Sequence, residues 1–159
     1  MKRIIIVTTL VLIIDILTKQ LIIHNLIENQ SITIINNLLN ITYAKNTGIA
    51  FSILEGRVPM IIIMTLIVVV VIINYLKNNN NKLELIYYSL ILGGAIGNLL
   101  DRIIYGYVID FIDFHLSNNH FPTFNIADSC IVIGVFLLLI TKKEGEEDES
   151  NSRISRKNR

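Results

Sequence analysis

Residues 58 to 76 read VPMIIIMTLIVVVVIINYL, a run without a single acidic or basic side chain. An α-helix rises about 1.5 Å per residue and a bilayer core is about 30 Å thick, so about 20 mostly apolar residues cross it. Pro59 lies in the first turn of such a helix, where a missing amide proton costs nothing. The polar connector Lys77-Asn78-Asn79-Asn80-Asn81-Lys82 closes the run and is long enough only for a turn between antiparallel helices. Three other segments meet the same test: 4–23, 85–104 and about 124–141. Composition agrees, since 52% of the 159 residues are hydrophobic and only 17% charged, too apolar for an ordinary soluble domain. The expected fold is a mainly α polytopic membrane protein with four transmembrane helices.

Short loops rich in lysine and arginine stay in the cytoplasm. Lys2 and Arg3 precede the first span, Lys77 and Lys82 separate the second and third, and Lys142 and Lys143 follow the fourth. Both termini are therefore expected inside, with residues 24–57 and 105–125 outside. A membrane-embedded domain over 1–141 is followed by a tail, 142–159, that holds 11 of the 27 charged residues. The tail lacks apolar periodicity and is expected to be disordered. The basic start imitates a secretory signal, but no small-x-small site follows and the apolar run continues to Ile23, so the segment reads as a retained span. A net charge of +1 and the absence of a basic stripe interleaved with aromatics argue against nucleic acid. Cys130 is the only cysteine, which rules out an internal disulfide.

The first outer loop alternates like strands at Ile32–Ile35, Leu39–Tyr43 and Ile49–Ile53, with turn signals at Asn36-Asn37 and Asn46-Thr47-Gly48. A small antiparallel sheet on the outer face is expected from this loop alone.

Of the acidic residues outside the tail, Asp15, Asp101, Asp110, Asp113 and Asp128 lie in or beside spans, where an ionisable group is costly and usually functional. Helical rise places Asp128 about 12 Å below the outer surface. Asn98 precedes Asp101, and Asn125 precedes Asp128, at the i, i+3 spacing that puts amide and carboxylate on one helical face. Gly106 can end the third span and let residues 107–111 fold back with Asp110. Three carboxylates, of Asp101, Asp110 and Asp128, thus converge near the outer surface. Two that share a dry site share a proton, and such a pair can activate water and polarise a carbonyl without a metal. Plainer readings stand beside this one. Asp15 and Lys19 can neutralise each other, Asp101 and Arg102 can form an interfacial ion pair, and Gly93, Gly94 and Gly97 can serve close helix packing. A zinc site from Asp113, His115 and His120 has loose spacing and no known ligand motif. A transporter whose aspartates bind protons or cations is the rival from another class, and it predicts ion flux without proteolysis.

Five blocks resemble the lipoprotein signal peptidase (signal peptidase II) family: Asp15-Ile16-Leu17-Thr18-Lys19, Asn46–Phe51, Gly93–Arg102, Gly106–Phe111 and Phe124–Ser129. The likeness spans about residues 4–140 in order, whereas the Gly-x-Gly-Asp pattern of presenilin-like peptidases is absent. The resemblance implies a catalytic pair at Asp110 and Asp128, with Asn46, Gly48, Asn98, Asp101, Arg102 and Asn125 binding substrate or orienting the pair, and Asp15 and Lys19 in support. It further implies a multi-pass enzyme of the bacterial inner membrane whose site faces the extracytoplasmic side. Its substrates would be diacylglyceryl-modified prolipoproteins among membrane lipids, its inhibitor globomycin, and the chain monomeric with no cofactor or metal. Ile49 departs from the family pattern, which usually has alanine there.

Overall fold

The computed structural model describes residues 2–49, 53–79, 81–117 and 119–157, with side chains as far as Thr141. In chain order the elements are α1 (Lys2–Asn25), β1 (Ser31–Ile35), β2 (Leu39–Asn46), α2 (Val58–Asn78), α3 (Lys82–Tyr105), β3 (Val108–Leu116), β4 (Asn119–His120) and α4 (Ile126–Lys157). Three helices, α1 to α3, are long and apolar enough to cross a membrane, and the apolar part of α4, Ile126–Thr141, is shorter. The backbone of α4 is helical to Lys157.

Local chemistry sets the helix ends. Pro59 occupies the first turn of α2. The Asn81 side chain accepts from the backbone N–H of Leu83 and of Glu84, which caps α3. Gly106 ends α3 with φ of 79°, a left-handed conformation open to glycine, and its N–H reaches Arg102 O at 3.1 Å. The bundle centres on α3, against which α1, α2 and α4 all pack. Small residues make this possible: a Cβ on Gly97 would lie 2.6 Å from Asp15 Oδ2, and one on Gly94 would strike the Ala127 carbonyl. Outward surfaces stay apolar, as at Ile5, Leu17, Ile63 and Val71, which suits lipid rather than water.

The sheet differs in origin from the expectation. Its order is β1-β2-β3-β4, antiparallel throughout, so its third strand comes from the second outer segment and not from residues 49–53. Within that earlier stretch, Ile53 lies in a turn, and residues 50–52 fall outside the described residues. The reason is burial: Val108, Ile109, Asp110 and Phe111 are buried on both faces, and pairing with β2 satisfies their backbone groups. Asn46 pairs with Val108 and Ala44 with Asp110, with a bulge between Ile41 and Ala44. Leu26, Tyr43 and Ile109 form a small core that seats the sheet on the end of α1.

Candidate functional site

The site grows from a buried cation. Lys19, on α1, is 1% exposed and Asp15, one turn earlier, is fully buried. Lys19 Nζ meets Asp15 Oδ2 at 2.8 Å, Asp101 Oδ2 at 2.8 Å and Asn98 Oδ1 at 3.1 Å. These three acceptors match the three protons of an ammonium group. Each carboxylate then reaches onward. Asp15 Oδ1 accepts from Ala127 N–H at 3.0 Å, in the first turn of α4, and Asp101 Oδ2 accepts from Ile109 N–H at 3.2 Å, near the start of β3. The ion cluster therefore pins the two segments that carry Asp128 and Asp110. Asp101 pairs with Lys19 rather than with its neighbour Arg102, and Asp15 and Lys19 do more than neutralise each other.

Three asparagines form the next layer. Asn125 Nδ2 donates to Asp110 Oδ1 at 2.7 Å, and Asn46 Nδ2 donates to Asp110 Oδ2 at 2.9 Å. Asn98 Nδ2 donates to Asp128 Oδ1 at 2.7 Å, and Asn125 N–H donates to Asp128 Oδ2 at 3.2 Å. Asp128 N–H returns a bond to Asn125 Oδ1 at 2.9 Å, so the pair forms a capping box at the start of α4. Asn125 Nδ2 also lies 3.1 Å from Asn98 Oδ1, which links the two carboxyl environments. The i, i+3 reading of Asn125 with Asp128 holds, whereas Asn98 serves Asp128 on another helix and not Asp101. Gly48 N–H donates to Asn46 Oδ1 at 2.9 Å, which turns the Asn46 amide protons toward Asp110. Arg102 Nη2 donates to Gly48 O at 2.6 Å and Nη1 to Asn98 O at 3.3 Å, tying the loop after β2 to α3.

All ten residues that the family resemblance pointed to thus meet in one network at the end of the bundle that carries the sheet. Asp110 is 1% exposed. Burial, and after it the charge of Asp128, push its carboxyl up to about 7. A cavity of about 830 Å³ is lined by the polar Asn46, Asn98, Arg102 and Asp128 and by residues of α2, α3 and α4. Its walls are mostly apolar, including Ile61, Met64 and Val68 of α2 and Ile131 and Val132 of α4, and Phe121–Phe124 close one side. Sequence reasoning missed these α2 residues, because a helix apolar on every face gives no sign of which face lines a groove.

Fold and network together define a polytopic membrane protein organised round buried carboxyl groups that asparagines link, beside a largely apolar cavity. The model of the family described as signal peptidase (SPase) II matches residues 7–142, and the chain belongs to that family. The lipoprotein signal peptidase of Syntrophotalea carbinolica is 40% identical over 89% of this chain and 91% of its own length. That of Thermodesulfovibrio yellowstonii is 44% identical over 82% and 87%. A solved bacterial membrane enzyme superposes with a TM-score of 0.87 at 33% identity, covering 93% of this chain and 92% of its own. Lipoprotein signal peptidase activity therefore belongs to a membrane protease built from several apolar helices and a small antiparallel sheet.

Proposed function

We propose that this chain is a metal-independent aspartyl endopeptidase of the bacterial inner membrane, with Asp110 and Asp128 as its catalytic pair. It cuts prolipoproteins immediately before the diacylglyceryl-modified cysteine. The observation that carries this reading is the double bracket of amide donors: each oxygen of Asp110 and of Asp128 accepts an N–H bond, while Asn125 touches both groups. Such bonds hold two carboxyl groups of separate segments in fixed relation.

Asp110 is the more buried member and carries the shared proton near neutral pH; Asp128 lines the cavity, where water and a peptide can meet it. In the proposed reaction Asp128 takes a proton from water, the hydroxide attacks the scissile carbonyl carbon, and Asp110 donates to its oxygen. Collapse of the tetrahedral intermediate returns the Asp110 proton and breaks the C–N bond, while Asp128 passes its proton to the cysteine nitrogen. The apolar groove suits acyl chains, with Arg102 and Asn46 among its polar lining residues near the peptide. Four spans with both termini in the cytoplasm put the site on the extracytoplasmic side, since Lys77 and Lys82 lie at the opposite end of α2 and α3.

The test is cleavage of a diacylglyceryl-modified precursor by purified protein in detergent. Cleavage that resists chelator, yields to globomycin and disappears in both Asp110→Asn and Asp128→Asn supports the reading. Wild-type turnover by either variant removes that residue from the mechanism.

A further inference from the structure

The β3–β4 hairpin carries a second set of chemically able side chains, away from the carboxyl pair. Asp113 and His115 lie two apart on β3, hence on one face of the strand, and His120 pairs directly across from His115 on β4. Spacing along the chain gave no ligand motif, yet one donor atom from each of the three lies within 4.8 Å of the others. His120 Nδ1 is 2.7 Å from Asp113 Oδ1, and the two imidazoles stack with centroids 4.6 Å apart.

A second observation points to a ligand. His115 is 8% exposed and its Nδ1 has no hydrogen-bond partner, nor does the buried Oδ1 of Asn40. A buried polar atom without a partner is costly. Asn40 Nδ2 meanwhile donates to Asp113 Oδ2 at 3.0 Å, which orients the carboxylate as outer partners do at metal sites.

We propose that Asp113, His115 and His120 bind one divalent transition-metal ion of the zinc class. Two imidazole nitrogens and one carboxylate oxygen suit zinc, with a fourth tetrahedral position open to water. Ligands about 2.0–2.2 Å from the ion stand roughly 3.4 Å apart. Binding therefore parts His120 from Asp113 and draws in the widest-set donor, movements that a two-residue strand with His120 half-exposed can make. The ion would tie β4 to β3. Phe121, which follows His120 and donates its N–H to Phe114 O at 2.8 Å, lines the cavity. Metal occupancy thus fixes the outer lip of the groove and takes no part in the bond-breaking steps.

The test is metal binding by the full chain, purified in detergent through a histidine-free tag and stripped with chelator. Zinc titrated against a chromophoric competitor is expected to bind at one equivalent, and cobalt(II) in its place to show the intense visible bands of a tetrahedral site. His120→Ala, a change at a half-exposed position, should weaken binding at least about tenfold, as should Asp113→Asn. Zinc binding that His120→Ala leaves unchanged, or no stoichiometric binding below about a millimolar, overturns the proposal. Neither result touches the carboxyl pair, whose test is peptide cleavage.

Discussion

Replacing Asp110 by asparagine should abolish cleavage and at the same time stabilise the protein at alkaline pH. Burial and the charge of Asp128 move this carboxyl from its ordinary 3.8 up to about 7. Because the folded-state value is raised, the stabilising contribution of this group is fully present below 3.8 and is lost as pH climbs to about 7. Each pH unit in that window is worth about 1.4 kcal/mol. Roughly 2 kcal/mol is therefore gone at pH 5, and roughly 4 kcal/mol at pH 8. The variant does not titrate, so between these pH values the wild type should lose about 2–3 kcal/mol relative to it. A second cost is independent of pH. Both oxygens of Asp110 accept from amide NH₂ groups, of Asn125 at 2.7 Å and Asn46 at 2.9 Å, and the new amide must turn its own NH₂ toward one of them. An unsatisfied buried donor costs about 1–3 kcal/mol. The variant should thus gain about 1–3 kcal/mol at pH 8 and be neutral or weakened at pH 5. Reversible unfolding by SDS in mixed micelles, at both pH values, gives the difference directly. A stability difference that stays within about 0.5 kcal/mol from pH 5 to 8 would refute the reasoning.

Asn46→Ala removes a bond that lowers the Asp110 pKa, so that value should rise above about 7; the corresponding limb of the pH profile of kcat/KM should move to higher pH, and an unmoved limb would separate Asn46 from the pair. Lys19→Met leaves Asp15 and Asp101 buried without their shared cation, which should cost about 3–5 kcal/mol; folded yield and melting temperature in detergent report it, and a wild-type melt would show that the cluster is not the anchor described. Val68→Trp places a large ring in the cavity wall, and kcat/KM for a diacylated precursor should fall by about tenfold or more, chiefly through KM; unchanged kinetics would place the acyl chains elsewhere.

What the sequence makes legible here is whatever carries its own energetic signature. The helices could be read because an apolar run of membrane length has few other uses, and two of their ends because Pro59 and Gly106 each solve a local backbone problem. The aspartates could be read because burying them demands partners. Which partner each takes was not legible. Asn98 and Asp101 do share a face of α3, yet that face looks toward both α1 and α4, so Asn98 reaches Asp128 while Asp101 meets Lys19. Spacing fixes direction, whereas the bond depends on what the neighbouring helix brings. The same limit explains the sheet: an alternating pattern marks a strand but not its mate, and β2 pairs with β3, sixty-odd residues later, in a register that sets Ala44 against Asp110 and brings Asn46 onto the carboxyl. Had residues 49–53 taken that edge, Asp110 would lack the donor that closes its second oxygen. The choice of strand partner and the composition of the site are therefore coupled: the pairing that satisfies the buried backbone of β3 is also the one that delivers Asn46 to Asp110.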